Sequence, residues 1–192
     1  MHLMRRIAAT ALAVAVLLTA GWFVVARDSG SNPGDAKQTQ PDLPAIGPDG
    51  QEYLRRFNAT SKSDPADFEL GEPTWVHDDA INLDVASYPI GDWSLIELYR
   101  NPAQRITAIY VVARPTAAAE QALFLNIATS VIASVMQVER VTASEVLSEL
   151  KAESIGELDE QVERDNVKFS LTRKAGASQL TVTNAKASAP RR

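Results

Sequence analysis

Apolar side chains first gather into an uninterrupted run over residues 7–26, with Arg5 and Arg6 before it and Arg27 and Asp28 after it. As a helix, these 20 residues span about 30 Å, the thickness of a bilayer's hydrocarbon core. From 28 to 48 the chain is mostly Ser, Asn, Gly, Asp, Gln and Pro. Such a composition buries too little surface to offset its ordering entropy and predicts a flexible linker. Periodic apolar positions then run over 49–186, the expected folded domain, before a frayed tail at 187–192.

Within the domain the period changes from element to element. Tyr53, Leu54 and Phe57 recur at helical spacing behind Asp49, a good capping residue, and predict a short amphipathic helix. Four strands follow, at 68–76, 81–88, 93–100 and 106–113. The second alternates Ile81, Leu83 and Val85 with Asn82 and Asp84. The fourth is apolar on both faces, as a central, covered strand would be. His77-Asp78-Asp79, Pro89-Ile90-Gly91-Asp92 and Asn101-Pro102-Ala103-Gln104 read as turns.

Pro115 stops the fourth strand, and Thr116 starts a long helix to about Val138. Its apolar set, Leu123, Phe124, Ile127, Val131, Ile132, Val135 and Met136, should lie on the sheet. Thr142-Ala143-Ser144-Glu145 has capping-box spacing and predicts a second helix, ending near Gly156. Val167, Phe169 and Leu171, then Leu180 and Val182, alternate with polar residues around a turn at 174–178, a closing hairpin. The predicted class is α+β. An N-terminal transmembrane helix precedes an antiparallel sheet, a four-stranded meander plus a C-terminal hairpin, packed against a long helix and a shorter capped helix.

Charge and composition narrow the environment. Arg5 and Arg6 place the N-terminus in the cytoplasm and the domain outside it, in the periplasm of a bacterial envelope. Retention of the run as an anchor is favoured by its length and by Trp22, whereas cleavage would release a secreted or periplasmic domain. The chain carries 19 basic and 24 acidic residues; setting aside Arg5 and Arg6 leaves 17 against 24, a net of −7. That balance argues against nucleic acid and anionic headgroups as partners. The absence of cysteine excludes disulfides, a thiol nucleophile and thiolate-bound zinc.

A short helix with Tyr53-Leu54-Arg55-Arg56-Phe57-Asn58, a strand meander, an apolar helix, a capped helix and a hairpin opening Asn166-Val167-Lys168-Phe169-Ser170 resemble small bacterial envelope proteins and lipoproteins. Those have a single α+β domain and no assigned function. The lipobox cysteine of the lipoproteins is missing here. The resemblance implies an envelope location and transfers no catalytic residue.

Candidate chemistry is sparse. His77-Asp78-Asp79 joins the domain's histidine to two carboxylates, but adjacent turn residues rarely converge on one ion, and turn hydrogen bonding accounts for them. Glu153, Glu157, Asp159, Glu160, Glu163 and Asp165 form an acidic stretch without the alternating ligands and central glycine of a calcium loop, and predict a solvated connector. No serine elbow or glycine-rich phosphate loop occurs. Trp75, Trp93, Tyr88, Tyr99 and Tyr110 all fall on the meander, where core packing is the default and exposure would mark recognition. Asn126, Ser130, Ser134 and Gln137 form an uncharged polar stripe down the long helix. Small neutral groups there suit either cover within the domain or a partner's close approach, making the stripe the candidate partner surface.

These features predict a membrane-anchored, exported, non-catalytic domain that binds a protein partner at the envelope, as an immunity or exclusion protein would. No cofactor or metal is expected, and self-association is left open. The alternatives are an accessory subunit of a secretion or pilus assembly, and a small hydrolase using Asp78, Asp79 or Asp84.

Overall fold

Asp49 sets the first element: in extended backbone, its carboxylate accepts from Gln51 N and Glu52 N, both at 3.0 Å, and caps α1, Gly50–Ser61. Tyr53, Leu54 and Phe57 form its buried side, as their spacing predicts. The computed structural model describes residues 44–62, 68–152 and 156–186. All belong to the second of two units into which the chain divides, 40–192. The predicted transmembrane segment, most of the linker and the tail lie outside the described residues.

Seven strands form one antiparallel sheet: β1 Val76–Asp78, β2 Leu83–Ile90, β3 Ser94–Arg100, β4 Ile106–Ala113, β5 Leu158–Arg164, β6 Val167–Lys174 and β7 Ala177–Asn184. Their spatial order is β1-β2-β3-β4-β7-β6-β5, so β4 is the middle strand. Two-residue turns close the last hairpins. Asp165 and Asn166 (φ 50° and 66°) join β5 to β6, and Ala175 and Gly176 (φ 50° and 76°) join β6 to β7. Positive φ at both central positions matches the right-handed strand twist.

The alternation sorts the sheet into two faces. Ile96 and Leu98 of β3, Ile109 and Val111 of β4, Phe169 and Leu171 of β6, and Leu180 and Val182 of β7 are fully buried in one core with the helices. The long helix is α2, Ala118–Met136, followed by α3, Arg140–Glu149. At the start of α2, the Glu120 carboxylate accepts from Thr116 N (2.6 Å) and Ala117 N (3.2 Å), which satisfies donors the helix leaves open. Among the described residues α2 alone is long and apolar enough to cross a membrane, yet most of it is buried inside the domain. It is a core helix packed between α1 and α3.

Several expectations are corrected. The acidic stretch is no connector: its residues 158–164 form β5, an edge strand in full register with β6. Backbone pairing is indifferent to charge on an outer edge, and Val162, with Leu158 packed against the same cluster, anchors the strand to the core. The expected strand at 68–76 forms only from Val76. Asn58 instead satisfies Leu70 with its side-chain amide, donating to Leu70 O (2.8 Å) and accepting from Leu70 N (2.9 Å). His77 and Asp78 then belong to β1, and the turn falls at 79–82. The second helix starts at Arg140 behind Glu139, so Thr142 and Glu145 lie within it and form no capping box. The linker docks before its predicted end: Ile46 is buried, Ile46 N donates to Ile106 O at 2.9 Å, and Asn184 Nδ2 donates to Ala45 O at 3.3 Å. Finally, β4 is central, but among the described residues helices cover one of its faces alone; Tyr110 and Val112 on its other face stay partly exposed.

Candidate binding surface

The polar stripe of α2 is covered within the domain. Asn126, Ser130 and Ser134 are buried, and only Gln137 is exposed. Ser134 Oγ donates to Ser130 O at 2.6 Å, one turn back. Arg140 on α3 donates to Asn126 Oδ1 at 2.8 Å and to Thr60 O at 3.4 Å, tying α2 to the end of α1. Small neutral side chains thus let neighbouring helices approach α2 closely. Of the two readings of the stripe, intramolecular cover is the one the geometry meets for these three residues.

Gln137 ends α2 in left-handed backbone (φ 58°) and lines an open groove of about 420 Å³ with Arg55, Arg56, Thr60 and Arg140. The arginine charge there is already engaged. Arg55 grips both Glu52 oxygens at 2.7 Å, and Arg56 Nε donates to the same carboxylate at 2.6 Å. Chiefly through the Arg55 hydrogen bonds, with Arg56 adding to them, Glu52 is held down at about 2. Glu139 contributes a carboxylate to the lining itself.

The histidine cluster is a fastening of the sheet edge. His77 Nδ1 lies 2.9 Å from Asp84 Oδ1 across the β1–β2 pair, and Asp79 lies 3.5 Å from Nε2. Asp84 also accepts from Arg100 (3.0 and 3.1 Å), whose guanidinium stacks 4.1 Å over Trp75. The His77 hydrogen bond first, and Arg100 second, hold the Asp84 carboxyl below its ordinary range. Asp78 Oδ1 accepts from Ala80 N at 2.9 Å, a turn bond. Among the described residues no group of three or more His, Cys, Asp or Glu is placed to hold a metal ion.

The sheet's second face is the surface that remains. Its residues follow from alternation and register: Val76 and Asp78 on β1, Val85 and Ser87 on β2, Leu95, Glu97 and Tyr99 on β3, and Tyr110 and Val112 on β4. Across β7, β6 and β5 the same face turns polar, with Gln179, Thr181 and Thr183, then Lys168, Ser170 and Thr172, then Asp159, Gln161 and Glu163. No described helix packs on it. Leu95, Val85 and Val112 are partly exposed, and Val76 is 63% exposed.

An aromatic and carboxylate cluster sits in the apolar half. Tyr99 Oη donates to Glu97 Oε2 at 3.0 Å, and Tyr99 meets Tyr110 edge to face, ring centres 5.3 Å apart. Tyr110 is the Cα partner of Glu97 across β3–β4. Partial burial raises the Glu97 carboxyl, opposed by the Tyr99 hydrogen bond. Burial also raises both phenols, with the Glu97 charge adding to it. The alternation Leu95-Glu97-Tyr99 was visible in the sequence. The approach of Tyr110 was not, because it depends on strand register.

Fold and surface together define a class: one helical layer on a seven-stranded antiparallel sheet, with no described helix on the opposite face. The chain matches no protein family, no curated protein and no solved structure.

Proposed function

We propose that this chain is a membrane-anchored, exported domain of the bacterial envelope that acts by binding a protein partner, in the manner of an immunity or exclusion protein. The open sheet face is its docking surface. The observation that carries this reading is the partly exposed row Val76, Val85, Leu95, Tyr99, Tyr110 and Val112, which no described helix covers. A patch of apolar and tyrosine side chains rimmed by polar residues is the composition of a protein interface. The anchor at residues 7–26 supports the location by its length and flanking charge.

The test is photocrosslinking in cells. A photoreactive residue at Leu95 or Val112 of the full chain should give discrete adducts with one partner, identified by mass spectrometry. The same residue at Glu145, exposed on α3, should give none. Equal yields at all three positions would overturn the assignment of the open face.

A further inference from the structure

The open face carries a carboxylate whose charge no described side chain answers. Glu97 receives one hydrogen bond, from Tyr99 at 3.0 Å, and among the described residues no Lys, Arg or His pairs with it. Lys168 shares the face but stands three strands away, β3 to β6, about 14 Å at the usual strand spacing. Asp78 adds negative charge beside Tyr99. Among the described strand residues of this face, Asp78, Glu97, Asp159 and Glu163 are met by Lys168 and, at the hairpin end, Lys174.

A partly desolvated carboxylate without a counter-charge is unfavourable in the free protein and well placed to be completed by a ligand. The flanking rings narrow the choice. Tyrosine faces attract cations, and a guanidinium can both stack on a ring and donate a fork of hydrogen bonds to a carboxylate. Building on the docking role proposed above, we infer that Glu97, Tyr99 and Tyr110 form a socket for a basic side chain of the partner protein, arginine fitting best. The apolar row around it excludes water, and the socket sets which partner surface is accepted.

The four tyrosines allow a direct test. The full chain in detergent micelles, labelled with ¹³C in its tyrosine rings, is titrated with a synthetic peptide of alternating arginine and serine. Tyr99 and Tyr110 should shift saturably, while Tyr53 and Tyr88, on the helix-covered side, stay still. A peptide of alternating glutamate and serine should move none of them. Glu97→Gln keeps the shape and removes the charge, and should weaken binding at least about tenfold. Unchanged affinity in Glu97→Gln, shifts confined to Tyr53 or Tyr88, or no saturable shift at millimolar peptide would each overturn the socket. Crosslinks at Leu95 and Val112 that persist undiminished in Glu97→Gln would also overturn it while leaving the docking face intact. Absence of face-specific crosslinks in the unsubstituted sequence would overturn both.

Discussion

Two carboxylates on the sheet respond to pH in opposite directions. Glu97 has its folded pKa raised by burial. Between the unfolded value, about 4.3, and that higher folded value, the native state holds more protons, so stability falls as pH rises through this window. Glu97→Gln removes the charge, keeps an acceptor for Tyr99, and should raise stability at pH 7 by up to about 1 kcal/mol, screened because the group is partly exposed. The gain should vanish below about pH 4, where both carboxyls are neutral. Asp84 is lowered, first by His77 and then by Arg100, so its contribution is present above the unfolded carboxyl range and lost as pH falls through the folded value. Asp84→Asn should therefore melt below the unsubstituted protein at pH 7 and converge with it in acid. His77→Ala should lower overall stability by less than about 1 kcal/mol, as exposed pairs do, while the three-residue strand β1 loses amide protection. Thermal melts over a pH series, with hydrogen exchange on His77→Ala, check all three. At this scale the sequence carried His77-Asp78-Asp79 as a local turn, yet the partner of His77 is Asp84, reached by strand pairing.

Helix α2 is the element where pattern and environment diverge most. Its apolar face was legible from Phe124 to Val135. Its polar face was also legible, but whether a partner or the domain covered it depended on α1 and α3, which meet it only in the folded state. Ser130→Lys with Ser134→Lys places two charges where both side chains are buried, and should lower the melting temperature sharply or prevent folding. Val131→Asp should do the same, because several kcal/mol is a large part of a typical ~5–15 kcal/mol domain stability. Ser130→Ala runs the other way. The Ser130 hydroxyl is buried and makes no hydrogen bond among the described residues, so deleting it should stabilise by about 1 kcal/mol, read as a rise of roughly 2–4 °C in melting temperature. Strand β5 shows the limit of composition as a guide. Glu160 and Glu163 looked like solvent-bound connector residues, but an edge strand keeps one side free, and charge there discourages pairing with other chains. The Asp165-Asn166 turn was the missed signal, since both residues tolerate positive φ.

At the scale of the whole molecule, the sheet order is what the pattern could not supply. The meander β1 to β4 follows from short turns, but β7 must return to pair with β4, Ile109 opposite Val182 and Val111 opposite Leu180, across two helices and two strands. That pairing makes β4 central and builds the polar half of the open face beside the apolar half. Under the proposed function this face meets its partner outside the cytoplasm while residues 7–26 hold the chain in the membrane. The run is long enough to span, and on this proposal Arg5 and Arg6 keep its start on the cytoplasmic side. The protein should resist alkaline extraction from membranes, and its N-terminal sequence should begin at Met1 or His2. In spheroplasts, added protease should digest the domain; in sealed inverted vesicles the domain should be protected. A mature chain starting near Arg27 in the soluble periplasmic fraction would replace the anchor with a cleaved signal. Protection in spheroplasts would put the open face in the cytoplasm and remove the envelope partner from the proposal.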